Sequence, residues 1–233
     1  MQERKAVTAV EVKEAALPAA QPLPDINMQM DLPALRTAAS QCQACRLCAG
    51  RQHSVWDTPP QALPEGLPRW LFVLDAPGPQ ENAAGAPLLG DAGQLLANMA
   101  AAVRLQPAQV YRAHATKCAP LPGHKVSQSE LTQCAHWLRH EIARVQPQMV
   151  LALGRHAAFS LTGSAAPLGQ LRGQPHRMVV PDDEKDTLGA LAAIPVVVSY
   201  PPSYLLRTPA AKREAWQDLC MAHALLQPQQ GAA

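Results

Sequence analysis

Four short apolar runs alternate along this chain with longer segments of helical periodicity. The runs are RWLFVL (69–74), QVYRAH (109–114), QMVLAL (148–153) and IPVVVS (194–199). Three of these runs are apolar at nearly every position, which indicates strands covered on both faces, as in parallel sheets between helices, and QVYRAH is a further strand candidate. We therefore predict an α/β fold: a three-layer α/β/α sandwich with a mostly parallel central sheet. In such folds the ligand sites lie at the carboxyl ends of the strands.

The helical segments carry recognisable start signals. Asp91 is expected to be the N-cap of a helix that runs through QLLANMAAAV, and Ser127 with Glu130 forms a capping-box pattern ahead of the next helix. A final helix is expected after Pro209. The segment 172–193 predicts a hairpin or an irregular excursion.

Length and charge limit the domain organisation. A chain of 233 residues can form one substantial core. We expect one domain over 34–226, with disordered tails at 1–33 and 227–233, where Ala, Pro and Gln dominate without periodicity. A formal net charge of +2 does not by itself indicate nucleic-acid binding. Because no apolar window approaches about 18 residues and no secretory signal is evident, we expect a cytoplasmic protein without a membrane span.

The cysteine spacing predicts a metal centre. Cys42 and Cys45 are separated by two residues, a spacing that lets both sulfurs meet one metal, and Cys118 and Cys134 could complete a four-thiolate site. Spacing alone leaves open a zinc ion, an iron–sulfur cluster, or a pair of ordinary buried cysteines at the last two positions. Cys48 is expected to be a bystander, as is Cys220.

Further motifs resemble those of the family-4 uracil-DNA glycosylases. CQACRLCAGR, APGPQENAAGAPLLGDAGQLL, VYRAHATKCAP, LALGRHAAFSLTG and SYPPSYLLRTPAAKREAW occur in the order typical of the family, across about residues 35–225. The resemblance implies a uracil-DNA glycosylase-like sandwich, DNA as partner, and a role in DNA repair or replication at the nucleoid. It also implies a [4Fe-4S] cluster whose ligands are Cys42, Cys45, Cys118 and Cys134.

The resemblance is weakest at the positions of the uracil pocket. The family motif Gly-Glu-Ala/Gly-Pro-Gly ends a little later in Glu-Asp. Here Asp75 takes the place of the first Glu, and Glu81 is followed by Asn82. The aromatic platform position is Leu88, which offers apolar contact but no π-face for stacking.

Two further pocket positions have lost their polar function. The base-reading Asn of the family is His114, which cannot present the adjacent donor and acceptor of an amide. The His of the His-Pro-Ser motif is Pro201, which removes the donor expected to stabilise the departing base. These replacements predict a degenerate pocket without glycosylase activity, in which Asp75 caps a strand end.

The motifs expected to contact DNA are better preserved. The resemblance and the backbone geometry of turns predict phosphate or groove contacts at Pro77, Gly78, Pro202, Ser203 and Arg207.

Three functional hypotheses follow from the sequence. The first is a non-catalytic DNA-maintenance or replisome accessory protein, similar to the psi subunit of bacterial DNA polymerase III, with a protein partner bound through the N-terminal tail. The second is an active glycosylase for uracil or another base, in which Asp75 polarises water and His114 donates a hydrogen bond. The third is a zinc-stabilised module unrelated to DNA.

Overall fold

Each predicted apolar run forms a strand of one sheet in the computed structural model, which describes residues 22–24, 26–58 and 67–227. The strands are β1 (Trp70–Leu74), β2 (Val110–His114), β3 (Met149–Leu153), β4 (Pro175–Arg177) and β5 (Pro195–Ser199). The sheet order is β2-β1-β3-β5-β4. The strands β2, β1, β3 and β5 are parallel, and the edge strand β4 is antiparallel to β5. The predicted mostly parallel sheet is therefore confirmed.

Helices flank the sheet and occupy most of the connections. They are α1 (Leu32–Ser40), α2 (Pro79–Ala84), α3 (Gly90–Ala102), α4 (Gln128–Val145), α5 (Arg155–Thr162), α6 (Leu168–Leu171), α7 (Lys185–Leu188), α8 (Pro202–Arg207) and α9 (Lys212–Leu226). No helix in the described part of the chain is both long and apolar enough to cross a bilayer.

The predicted tails lie mainly outside the described residues. This applies to 1–21 and 228–233, and with them to the segment through which a protein partner was expected to bind. The helix α1 begins at Leu32, and its N-cap Asp31 accepts a hydrogen bond from the backbone N–H of Ala34 at 2.8 Å. Ordered structure therefore reaches into the last residues of the segment 1–33.

The two faces of the sheet are covered by different helices. Leu71 and Val73 of β1 pack with Leu138 and Ile142 of α4 in one apolar cluster. The intervening Trp70 and Phe72 pack in a second cluster with Leu96 of α3 and Leu219 of α9. Because alternate residues of a strand point to opposite faces, a strand between two helix layers must be apolar throughout. This explains why β1 reads WLFVL.

The parallel strands end together at one edge. Leu74 of β1 is in register with His114 of β2 and with Leu153 of β3, and Leu153 is in register with Ser199 of β5. The segments that follow these four residues therefore meet at one edge of the sheet, as predicted.

The predicted helix starts are partly right. Ser127 and Glu130 form the capping box of α4: the Ser127 side chain accepts from the Glu130 N–H, and Glu130 Oε2 accepts from the Ser127 N–H at 2.8 Å. The prediction for Asp91 is wrong, because α3 begins at Gly90 and extended Leu89 is its N-cap. Asp91 lies in the first turn, where its charge faces the positive end of the helix dipole.

The excursion between β4 and β5 is attached to α4 by a half-buried carboxylate. Glu184 Oε1 accepts from Arg139 Nη2 at 2.8 Å and lies 2.9 Å from His136 Nδ1. Burial acts to raise the pKa of Glu184, but the hydrogen bonds from Arg139 and His136 outweigh burial and lower that pKa to about 2. The carboxylate therefore stabilises the fold above its ordinary pKa of 4.5, and this stability is lost as pH falls from 4.5 towards 2.

Replacing Glu184 with Gln is expected to lower the free energy of unfolding by about 1–2 kcal/mol at pH 7, allowing for partial solvent screening. The difference from the unsubstituted protein should shrink as the pH approaches 2. Urea unfolding at pH 7 and at pH 3 measures both effects. Asp182→Asn is the control, because Asp182 pairs with Lys185 in solvent. An equal loss at both pH values would contradict the prediction.

Candidate functional site

Five cysteines line one cavity between the N-terminal segment and the sheet. The five are Cys42, Cys45, Cys48, Cys118 and Cys134. The first three lie on or beside the turn that follows α1, Cys118 follows β2, and Cys134 is on the buried face of α4. Cys220 lies exposed on α9, away from the cavity. The structure thus brings together the four predicted ligands and adds Cys48, which the sequence interpretation treated as a bystander.

Three N–H donors of this site suit sulfur acceptors. Arg51 Nη1 donates to Cys118 Sγ at 3.3 Å, and the backbone N–H of Lys117 donates to Cys134 Sγ at 3.2 Å. Trp137 also lines the cavity, and its indole nitrogen is buried and has no hydrogen-bond partner among the described residues. A buried donor without an acceptor costs free energy. Sulfur atoms of a bound cluster would supply the acceptor that Trp137 lacks.

The pKa values of the buried cysteines are raised, so that these thiols need a bound cation to become thiolates. Burial raises the pKa of Cys45 to about 11, and burial raises the pKa of Cys118 and of Cys134 as well. Neighbouring thiols raise the pKa of all three further. Such thiols stay neutral alone, whereas a metal centre favours their thiolate form.

The structure brings four cysteine thiols to one cavity, a ligand set that both a zinc ion and an iron–sulfur cluster can use. A single zinc ion needs four ligand atoms at about 2.0–2.3 Å from one point. Within the described ranges, no group of three or more His, Cys, Asp or Glu side chains has the arrangement that one metal ion requires.

The carboxylate of Asp75 is tied to α5. Its Oδ1 accepts hydrogen bonds from the backbone N–H groups of His156 and Ala157, at 2.8 and 3.1 Å. Gly154, with φ of +118°, leaves room for this carboxyl group, since an added Cβ would lie 2.4 Å from Asp75 Oδ2. Burial raises the pKa of Asp75, and the two N–H groups partly oppose that rise. Asp75 therefore joins the end of β1 to the start of α5.

Glu81 is bound to backbone groups on both sides. Its Oε2 accepts from the Gly78 N–H at 2.7 Å, and its Oε1 accepts from the Leu88 N–H at 2.6 Å. His114 Nε2 lies 3.3 Å from Oε1. Burial acts to raise the pKa of Glu81, but the hydrogen bonds from His114, Gly78 and Leu88 outweigh it and lower the pKa. The result is a charged carboxylate that closes the loop between α2 and α3.

His114 is enclosed at the end of β2. Its side chain is 2 % exposed, and Nδ1 has no hydrogen-bond partner in the described part of the chain. Leu88, at the predicted platform position, has a φ of +56° and lines an apolar cavity between α3 and β2. A bulky residue held at positive φ is strained, and the hydrogen bond that the Leu88 N–H donates to Glu81 helps to hold it there.

Asn82 connects this edge of the sheet to the cysteine turn. Its Nδ2 donates to the Gly50 carbonyl at 2.8 Å, and its Oδ1 accepts from the Gln52 N–H at 2.8 Å. The side chain is buried. Asn82 thus binds the segment after Cys48 to α2, a contact that needs one donor and one acceptor and therefore an amide.

The end of β5 presents a mixture of buried and exposed groups. Pro201 is the N-cap of α8, and its carbonyl accepts from the N–H groups of Tyr204 and Leu205. Pro202 is buried, whereas Ser203 and Arg207 are exposed. Of the three predicted DNA contacts on α8, Ser203 and Arg207 are therefore accessible to a ligand.

An aromatic pair at this edge was missed by sequence reasoning. The rings of Tyr200 and Tyr204 lie 4.9 Å apart, and the guanidinium of Arg172 lies 4.4 Å from the Tyr200 ring centre. Arg172 Nε donates to Asp218 at 2.7 Å, and Asp218 also accepts from Ser199 Oγ. The partners Arg172 and Asp218 lie 46 residues apart along the chain, so no local pattern pointed to this arrangement.

A buried ion pair lies between the cysteine cavity and the end of β2. Lys117 and Glu141 form a close ion pair, and both side chains are almost fully buried. Tyr111 donates to Glu141 Oε1 at 2.9 Å, and the Lys117 ammonium lies 4.5 Å from the centre of the Trp56 ring. The sequence motifs did not predict this pair, although Lys117 stands next to the proposed ligand Cys118.

Comparison with known proteins assigns the chain to a family. The profile described as "Uracil DNA glycosylase superfamily" matches residues 60–220. The chain is 29 % identical to a type-4 uracil-DNA glycosylase of Pyrobaculum aerophilum over 198 residues, which cover 82 % of this chain and 93 % of that protein.

Two further relatives agree with this assignment. A type-4 uracil-DNA glycosylase of Thermotoga maritima is 31 % identical over 170 residues, 72 % of this chain and 79 % of that protein. One of Sulfurisphaera tokodaii is 32 % identical over 120 residues, about half of each chain. With the profile match, these relatives and the mostly parallel sheet, the chain belongs to the uracil-DNA glycosylase superfamily, among the type-4 uracil-DNA glycosylases.

Proposed function

We propose that this protein binds DNA and carries a [4Fe-4S] cluster but does not excise uracil. Membership of the family supports DNA as the partner and DNA repair as the setting. One observation is the main support for the proposed loss of uracil excision. The acids that remain in the pocket, Asp75 and Glu81, have oxygens engaged by the protein's own backbone N–H groups.

Base excision places demands that these residues do not meet. The reaction needs an acid or a positioned water near the sugar and a donor for the departing base. Pro201 has no N–H or side-chain donor, and Leu88 has no π-face. Each missing contribution lowers the rate by about 10²-fold or more, so the combined loss is large.

The cluster assignment rests on this chain's own residues. Cys42, Cys45, Cys118 and Cys134 would hold the cluster, and Arg51 would donate to one ligand sulfur. Bound there, the cluster would supply a fixed link among α1, the end of β2 and α4. The chemistry we assign to it is structural, because it joins segments that are distant along the chain.

The DNA contact is proposed at the carboxyl edge of the sheet. Pro77 and Gly78 form the turn after β1, and Ser203 and Arg207 are exposed on α8. Arg207 supplies a positive charge, and Ser203 a hydroxyl donor, for phosphate oxygens. These contacts fix a protein on DNA without reading its sequence, which suits a non-catalytic role.

A second candidate function is excision of a different base. Its support is the buried Nδ1 of His114, which lacks a partner in the described part of the chain and could bond to the edge of a flipped base. In this candidate, Glu81 holds the opposite ring nitrogen and fixes which nitrogen faces the base.

The decisive experiment measures base release and DNA binding on the same preparations. Duplexes containing uracil, hypoxanthine or a mismatch are incubated with anaerobically purified protein, and abasic sites are then cleaved with alkali. The Thermotoga maritima enzyme is the positive control for uracil. We expect binding to every duplex and no strand cleavage. Uracil release would refute the proposal, whereas release of another base that is abolished in His114→Ala would establish the second candidate.

A role as a replication or repair accessory requires a protein partner, and we propose residues 1–33 as its contact. Affinity capture from native lysate with the full chain and with a chain lacking those residues tests this. Replication or repair proteins captured by the full chain alone are expected. Identical captures from both would reject the tail as the contact.

A further inference from the structure

A polar pocket beside the cysteine turn has no acidic residue in its lining. It lies between α1 and the segment 51–54, and Arg36, Thr37, Arg51 and His53 contribute to its walls. Ser40, Gln52 and Ser54 complete the lining, so the pocket combines two guanidinium groups with an imidazole, hydroxyls and an amide. Such a set of donors, with no carboxylate to neutralise them, is chemically matched to an anion.

The two arginines of this pocket differ from the three arginines that form salt bridges in the described part of the fold. Arg112, Arg139 and Arg172 each pair with a carboxylate within 3.1 Å. Within the described residues, neither Arg36 nor Arg51 has a carboxylate within the 4.0 Å of a salt bridge. Two unneutralised guanidinium groups in one concave site create a positive potential that an oxyanion would relieve.

Hydrogen bonds from one guanidinium nitrogen, Nη1, hold the Arg51 side chain in place. Its Nη1 donates to the Cys42 carbonyl at 2.8 Å and to Cys118 Sγ at 3.3 Å, and it lies 3.5 Å from the Ala39 carbonyl. Nε and Nη2 have no hydrogen bond to any described residue. The guanidinium is therefore held in place by the cysteine turn while it retains donors for a ligand. A pre-positioned donor loses less side-chain entropy on binding.

The pocket is connected to the carboxyl edge of the sheet. Asn82, on α2, holds Gly50 and Gln52 by its side chain, and His53 packs against Gly85 at the end of α2. The same helix begins at Gly78, where the DNA contact is proposed. The family that the chain resembles has an acid where this chain has Asn82, so the side chain that holds Gly50 and Gln52 is a neutral amide.

We propose that Arg36, Arg51 and His53 form a binding site for a phosphate oxyanion. Two sources share this chemistry: a backbone phosphate of DNA that continues past the strand-end edge, and free phosphate. The first source rests on the proposed DNA-binding function, and the second does not. Arginine binds phosphate through two parallel N–H···O bonds, and exposed His53 adds a third donor.

The test uses side chains that do not touch the cysteines. Arg36→Ala and His53→Ala are compared with Arg46→Ala, which removes the same charge as Arg36→Ala from an exposed position on the cysteine turn outside the pocket. Affinity for a fluorescent 20-base-pair duplex is measured across salt concentrations, and inorganic phosphate binding is measured by calorimetry. Iron content and thermal midpoint are checked for every variant.

Arg36→Ala is expected to weaken DNA binding about tenfold at 0.1 M salt and to reduce the salt slope by about 1, while Arg46→Ala changes affinity less than about twofold. That result supports the site and identifies DNA as the source. If DNA binding is unchanged but Arg36→Ala abolishes phosphate binding, the site is supported and the source is free phosphate.

Two outcomes would overturn the site. In one, Arg36→Ala and His53→Ala bind DNA and phosphate as the unsubstituted protein does. In the other, Arg46→Ala loses as much as Arg36→Ala, so that only overall charge matters. If the unsubstituted protein binds no DNA, the proposed function fails, and calorimetry with phosphate alone decides on the pocket.

Discussion

Cys134→Ala is expected to yield protein without iron and with a thermal midpoint lowered by about 10 °C or more. Cys134 is buried on α4. It lines one cavity together with Cys118, which follows β2, and with Cys42 and Cys45 of the cysteine turn. A bound cluster would join these three segments, so its binding free energy would add to the stability of the fold. Iron analysis, visible absorbance and thermal unfolding of anaerobically purified protein measure the effect.

Two matched variants separate loss of a ligand from loss of a thiol. Cys48→Ala removes a thiol from the same cavity, and Cys220→Ala removes an exposed one from α9. Both are expected to retain iron and the original thermal midpoint. Retention of iron by Cys134→Ala would reject the proposed ligand set. Loss of iron from Cys48→Ala would show that Cys48 is a ligand in place of one of the four.

Glu141→Gln is expected to lower the free energy of unfolding by about 3–5 kcal/mol, because it leaves the ammonium of Lys117 buried without a counter-charge. Both side chains are almost fully buried, and the hydrogen bond from Tyr111 fixes the carboxylate. Burial raises the pKa of Glu141, and the charge of Lys117 opposes that rise. Urea unfolding at pH 7 measures the loss.

The triple variant Lys117→Met, Glu141→Leu, Tyr111→Phe is the control, since replacing a buried ion pair and its partners by apolar residues is often nearly neutral. We expect its free energy of unfolding to lie well above that of Glu141→Gln. Iron content should persist, because the bond from residue 117 to Cys134 Sγ comes from the backbone. A cost below about 1 kcal/mol for Glu141→Gln would mean that the pair is not buried in solution.

The regular elements of the fold were largely predictable. Five consecutive apolar residues in β1 and β3 require cover on both faces, and the capping box of Ser127 and Glu130 is a local pattern. β4 was not resolved by sequence reasoning, because a strand of three residues with exposed ends has no periodic signal. Asp91 was misplaced because several residues near a helix start can suit its first turn.

The candidate site was predictable in its residue types but not in its contacts. The motifs pointed to Asp75, Glu81 and His114. The sequence did not reveal that Glu81 accepts a hydrogen bond from the backbone N–H of Leu88, or that His114 is enclosed. No motif predicted the basic pocket around Arg36 and Arg51, although Arg51 ends the cysteine motif CQACRLCAGR. Its residues come from α1 and from the segment after Cys48, which only the packed fold brings together.

The sequence by itself determined the sheet, its edge of strand ends, the family and the set of cysteines. Each of these depends on local periodicity or on short motifs whose spacing is visible in one dimension. The tertiary structure alone decided that Cys48 shares the cavity, that the Asp75 carboxylate binds the start of α5, and that Lys117 faces Glu141. The physical reason is that burial and pairing depend on neighbours in space, and packing a sheet between two helix layers chooses those neighbours from distant parts of the chain.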